Sequence, residues 1–142
     1  EIGMTGTTSP NDGYVRQDFP GGWPNDSINK FTNEGRNEIE KEIWNQVARL
    51  ANFRKTSSAL TTGKMMQYIP EDAVYVYFRY DAKQTIMVVM NTAKEKKTIA
   101  LKRFEQSTKG FSKMKNIHTG EIMPLADFSL ETKVSGVYEL LK

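Results

Sequence analysis

Between Asn37 and Lys55 the apolar side chains fall at helical spacing: Ile39, Ile43, Val47, Leu50 and Ala51 share one stripe, and Trp44, Ala48 and Phe53 widen it. This predicts an amphipathic helix over residues 38–55. Asn37 followed three residues later by Glu40 has capping-box spacing. Glu38, Glu40 and Glu42 suit the positive end of the helix dipole, and Arg49, Arg54 and Lys55 suit the negative end. The stripe is wide enough to predict burial on more than one side. After a Thr- and Ser-rich joint at 56–63 the period changes from helical to alternating. Strands are predicted over 65–69, 74–80, 85–91, 98–101, 115–118, 121–125, 128–132 and 137–141. In the second of these, Val74, Val76, Phe78 and Tyr80 share one face and Tyr75, Tyr77 and Arg79 the other. Residues 86–90 are apolar on both faces, as a central, covered strand requires. Short strands at this spacing predict an antiparallel β-sandwich with meander or Greek-key links. Lys94 to Lys97 reads as a solvated turn.

Ahead of the helix, residues 1–36 hold six of the ten glycines and three of the five prolines, which predicts a long irregular loop. Loops of that length in folded domains carry function or lack order, so this one is a candidate site. At 142 residues the chain can bury a core, but it falls short of the about 250 residues of a complete eight-stranded α/β barrel. Residues 1–59 carry 7 basic and 8 acidic side chains and residues 60–142 carry 13 and 9. That imbalance is too small to predict a nucleic-acid partner, and no apolar run is long enough to predict a membrane span. The absence of cysteine removes disulfides, thiolate nucleophiles and Cys-ligated zinc, and a single histidine leaves no metal cluster and no Ser-His dyad. A chain that starts at Glu1, without an initiator Met or a leader-like segment, reads as an excised or processed piece.

The order of segments resembles a known family. Glu1-Ile2-Gly3-Met4 is similar to the end of the eighth barrel strand in the α-amylase superfamily, glycoside hydrolase family 13. Gly13 to Pro24, with Arg16-Gln17-Asp18-Phe19-Pro20-Gly21-Gly22-Trp23 as its most specific part, resembles the loop after that strand in the cyclomaltodextrinase and neopullulanase subgroup. Asn33-Glu34-Gly35-Arg36 leading into Leu50 to Lys55 resembles the last barrel helix, and Gly63-Lys64 with Val74 to Tyr80 resembles the opening of the C-terminal sandwich. The resemblance implies an α+β chain: residues 1–59 from the last β/α unit of a barrel, with a loop over 1–36, and residues 60–142 an antiparallel C-terminal β-sandwich. Family members are retaining glycosidases that set a carboxylate nucleophile and a carboxylic acid about 5 Å apart. Those groups lie upstream of Glu1 by this resemblance, so it implies no catalytic residue here, only the non-catalytic tail of an enzyme cleaving α-1,4-glucans.

Arg16, Asp18 and Trp23 are the candidate substrate-binding residues, with Tyr14 and Phe19 nearby. A flat aromatic stacks on the apolar face of a glucose ring while charged groups bond its hydroxyls. The plain alternative has Phe19 and Trp23 anchoring the loop in a hydrophobic cluster and Arg16 paired with Asp18 or another carboxylate. Asp12, Asp18 and Asp26 are expected to cap turns rather than act as an acid–base pair. Tyr75 and Tyr77 form a second possible sugar platform, though aromatics on one strand face more often cover a neighbouring element. His118 is expected to be structural or exposed, and Met65, Met66, Met87 and Met90 are expected in the core. No cofactor and no metal ligand is expected in this chain, and calcium in the parent enzyme is left open. The expected partner is an α-glucan oligosaccharide bound through the parent, with no nucleic acid, no membrane, and self-association through an exposed helix face. The alternatives are an independent starch-binding module and a purely structural domain. Localisation outside the cytoplasm, periplasmic or secreted, is preferred, with the cytoplasm left open.

Overall fold

In the computed structural model, which describes residues 1–7 and 9–142, the alternating segments form eight antiparallel strands in two sheets. The larger sheet contains β1 (Lys64–Gln67), β2 (Val74–Tyr80), β3 (Thr85–Asn91), β5 (Lys113–Asn116), β6 (Ile122–Pro124) and β8 (Ser135–Leu141), in the order β1-β2-β3-β8-β5-β6. The smaller pairs β4 (Lys97–Ile99) with β7 (Phe128–Leu130). The expected sandwich is present, and its two sheets are unequal.

Period two decides what each face covers. Val74, Val76 and Phe78 of β2 and Met87 and Val89 of β3 point to one side, where they meet Ile99 of β4, Leu130 of β7, Phe104, Met114 and Leu140 in the main core. In register, Phe78 sits opposite Met87 and Val76 opposite Val89. On the opposite face Ile86 and Val88 pack with Ala59, Phe53, Leu60, Tyr77, Met90 and Val137. β3 is thus covered on both faces, as its unbroken apolar run predicts. Each fully buried side chain of the size of Phe78 or Ile86 contributes about 1.5–3 kcal/mol through removal from water.

Buried polar groups tie the layers. Asn91, 2% exposed, donates through Nδ2 to the carbonyls of Glu95 at 2.9 Å, Leu130 at 3.1 Å and Glu131 at 3.0 Å, and accepts from the Ala93 N–H. It clasps the segment after β3 to the end of β7. Ser57 and Glu139 are joined through Gln84, which accepts the Ser57 hydroxyl and donates to the Glu139 carboxylate. At Gly63 an added Cβ would meet the Ala59 carbonyl at 2.4 Å and the Tyr80 carbonyl at 2.7 Å, so only glycine lets β1 start this close to its neighbours.

Several expectations are corrected. The 56–63 joint contains a short helix, α2 (Ser58–Thr61), capped by the Ser57 side chain accepting from the Leu60 N–H. A 3-10 turn at Leu101–Phe104 runs into α3 (Glu105–Thr108), because Leu101, expected to end a strand, and Phe104 turn into the core. Lys97 is no solvated turn residue: it pairs with Asp72 at 2.8 Å and Glu95 at 2.7 Å. These contacts, Asp72 first, raise its pKa above the ordinary 10.5. Met65 lies on the exposed side of β1, where the alternation that buries part of Met66 puts it.

By its contacts the chain forms two units, Glu1–Arg49 and Leu50–Lys142. The division falls within α1 (Glu38–Thr56), whose final turns join the second unit through Phe53. The capping box forms as its spacing predicts: Asn37 Oδ1 accepts from the Glu40 N–H at 2.9 Å and Glu40 accepts from the Asn37 N–H at 2.8 Å. The expected burial on more than one side does not occur. No residue of α1 is fully buried, and Ile39, Trp44 and Val47 stay exposed.

Candidate functional site

The loop ahead of α1 is irregular but closed on itself. Lys30 N–H donates to the Pro20 carbonyl at 2.8 Å, drawing residues 20–30 into a small ring, and the Phe19 and Phe31 rings meet at its neck with centroids 4.6 Å apart. Two adjacent glycines make the closure possible. Gly21 has φ +118° and Gly22 +103°, a region side chains avoid, and a Cβ on Gly21 would meet Asn29 Cα at 2.8 Å. Asn29 Oδ1 also accepts from the Phe31 N–H at 3.0 Å. At the tip, Asp26 Oδ2 accepts from the Trp23 N–H at 2.9 Å and the Asp26 N–H donates to the Trp23 carbonyl at 3.2 Å. The backbone of Trp23 is pinned at both polar groups while the residue as a whole is 77% exposed.

Arg16 and Asp18 are exposed on the same loop. Arg16 follows a 3-10 turn at Asp12–Val15, which Asn11 begins by accepting from the Gly13 N–H. Of the plain alternative, no Arg16–Asp18 ion pair is present among those of the described residues, and anchoring holds for Phe19, which packs on Phe31, while Trp23 is left to solvent. Asp26 caps a turn, as expected of a loop aspartate, and Asp12 sits in the first turn of the 3-10 segment. Among the described residues no group of three or more His, Cys, Asp or Glu is placed to hold a metal ion, and no helix is long and apolar enough to cross a membrane.

Tyr75 and Tyr77 lie together on β2, with ring centroids 5.6 Å apart and planes inclined by 35°. The rings are therefore not coplanar, and both residues are half-buried. Tyr77 packs against the cluster of Ala59, Ile86 and Val88, and burial raises its hydroxyl pKa above 10.0. Tyr75 donates its hydroxyl to Gln67 Oε1 at 2.8 Å. Arg79, on the same face, donates through Nε to the Ala59 carbonyl at 3.2 Å. His118 is half-buried just beyond β5, its backbone N–H held by Asn116 Oδ1.

Two features of the first unit escape a reading of sequence. Lys30 and Glu40 form an ion pair at the start of α1, and the Lys30 hydrogen bond, with that from Asn37 N–H, lowers the Glu40 pKa below the ordinary 4.5. Arg36 is 6% exposed, with its guanidinium 4.1 Å above the Trp44 ring. The only signal for it is its place one residue ahead of a capping box, where a cation is unfavourable.

Known proteins resemble most of the chain. Residues 65–139, more than half of it, match the family model of the cyclo-malto-dextrinase C-terminal domain. Among solved structures, the chain is similar to the α-amylase of Geobacillus thermoleovorans complexed with acarbose. Identity there is 15% and the TM-score 0.59, over 71% of this chain and 23% of that one. An Anoxybacillus α-amylase matches at 17% identity and TM-score 0.63, over 75% of this chain and 24% of that one. Trehalose-6-phosphate hydrolase of Bacillus licheniformis matches at 21% identity and TM-score 0.61, over 85% and 23%. These likenesses establish the fold, and the chain spans less than a quarter of the length of each of these enzymes.

Proposed function

This chain belongs to the cyclo-malto-dextrinase C-terminal domain family, and from that membership we propose that it is the non-catalytic scaffold of a larger retaining hydrolase of α-1,4-glucans, with maltodextrin, cyclodextrin or pullulan as substrate. The observation that carries the proposal beyond the family is Trp23, an exposed indole on a turn pinned by Asp26 and shaped by Gly21 and Gly22. An indole held out on a closed turn stacks on the apolar face of a glucose unit with less loop to order at the moment of binding. In this reading Arg16 and Asp18 bond sugar hydroxyls, and the reacting carboxylates belong to other parts of the longer protein. A separate starch-binding module at Tyr75 and Tyr77 draws less support, because their rings are not coplanar and Tyr77 is occupied in packing.

The test is Trp23→Ala in the natural gene product. A product several times heavier than 16.2 kDa that cleaves maltoheptaose, with KM raised about tenfold by Trp23→Ala and kcat little changed, is the expected result; tenfold corresponds to about 1.4 kcal/mol of binding. A natural product of 16.2 kDa overturns the scaffold reading. An unchanged KM overturns the role of Trp23.

A further inference from the structure

Among the described residues, the buried side-chain nitrogens without a hydrogen-bond partner are Nε and Nη1 of Arg36. Arginine stays charged when buried, so neither nitrogen escapes its need by losing a proton. Trp44 beneath the guanidinium offers a π face and no acceptor. Glu40, whose carboxylate feels the Arg36 charge, accepts from Lys30 Nζ and the Asn37 N–H, both at Oε2, and no hydrogen bond from Arg36 Nε or Nη1 reaches it. The residue also sits just before the N-terminus of α1, where the helix dipole opposes a cation. Burial, missing acceptors and dipole all act against a bare guanidinium, and a charge left in that state is strongly destabilising.

We propose that Arg36 is a socket for a carboxylate carried by a polypeptide segment of the longer enzyme, outside these 142 residues; this rests on the reading of the chain as part of a larger hydrolase. Polypeptide chemistry fits better than a small free anion for two reasons. Nε and Nη1 lie on different edges of the planar fork, so a carboxylate on one edge leaves the other for a carbonyl oxygen, and a peptide carries both. Trp44, exposed beside the guanidinium that its ring carries, and Val47, exposed one turn further along α1, give that segment an apolar surface to lie against, which a free anion would not use. Charge and apolar surface together define the occupant: an Asp or Glu flanked by apolar residues.

The experiment compares Arg36→Met and Arg36→Lys in the 142-residue chain and in the natural gene product, after the mass of that product has been read. In the 142-residue chain Arg36→Met removes an unpaired charge and leaves the melting temperature unchanged or raised. In the longer product the same change strands the carboxylate and lowers the melting temperature by several degrees, and Arg36→Lys, which lacks the fork, does not restore it. An Asp→Asn or Glu→Gln change elsewhere in the longer product whose effect is not additive with Arg36→Met identifies the partner. Equal loss in both proteins, no effect in either, or the absence of any non-additive carboxylate overturns the inference. Dimerisation of the 142-residue chain that Arg36→Met abolishes also overturns it, since a second copy then supplies the carboxylate. A natural product of 16.2 kDa instead overturns the larger-hydrolase reading on which the inference rests.

Discussion

The unit Leu50–Lys142 meets its own needs. Its large side chains Phe78, Ile86, Met87 and Val89 are fully buried, and its buried Asn91 has its amide and carbonyl groups bonded within the unit. The unit Glu1–Arg49 does not. It leaves Trp23, Phe31, Ile39 and Trp44 in solvent and buries a guanidinium with two nitrogens unbonded. Folded domains pair nearly all buried polar groups. Exposed apolar side chains occur in both units, Ile69 of the second among them, so the contrast lies in the buried polar groups, which are bonded for Asn91 and left with two open nitrogens at Arg36.

The contrast can be broken by experiment, most severely in the sandwich. Phe78→Ala is expected to cost about 3–5 kcal/mol in urea denaturation of the 142-residue chain, through a cavity between the sheets; a cost below about 1 kcal/mol means the main core is not what holds the second unit. Asn91→Ala comes next, at about 1–3 kcal/mol, because three carbonyls and the Ala93 N–H lose their partner. Asn91→Asp would add a charge beside those carbonyls and should be no milder.

Titration separates the units by pH. Glu40, held below 4.5 chiefly by the Lys30 hydrogen bond, contributes stability that is full above its unfolded pKa and lost as pH falls through the lower folded value. Asp81 in the second unit, lowered first by Ser58, has the same sign, so hydrogen exchange must be followed residue by residue in acid. Burial raises the pKa of Tyr77 and Tyr138 above 10.0, and Lys97 stands above 10.5. Their contribution is present below the unfolded values and lost as pH rises through the folded ones. Alkaline loosening should therefore begin among β2, β4 and β8 and not at the start of α1; the reverse order of amide exchange above pH 10 contradicts the assignment. The smallest effects belong to the first unit: Ile39→Ser and Trp23→Ala are each expected within about 0.5 kcal/mol of the parent melt, as for exposed positions generally.

Most of the sandwich was legible because alternation and burial carry the same information. The two-faced apolar run at 86–90 identified a central strand, and the Asn37–Glu40 spacing located the start of α1. What escaped has no period to read. α2 is one helical turn set by the Ser57 cap, and the turn at 101–108 depends on Leu101 and Phe104 finding a core assembled from distant strands. The loop offers Trp23, Arg16 and Asp18 as candidates by residue type, but not the ring that carries Trp23, since the Pro20–Lys30 closure spans ten residues without a repeating signal. Arg36 escaped for a further reason: sequence can name a buried charge's neighbours along the chain but not count its missing acceptors.

The place of β8 in the larger sheet bears on how the molecule is made. Eighth in chain order, it lies between β3 and β5, so the first three strands form one ribbon, β5 and β6 form another, and Ser135–Leu141 alone joins them. During synthesis both ribbons must wait with an open edge, the arrangement most exposed to misassociation. A premature stop ahead of Ser135 would remove seven residues of strand and with them the seam of the sheet, leaving a three-stranded ribbon and a separate hairpin in place of a slightly shortened domain.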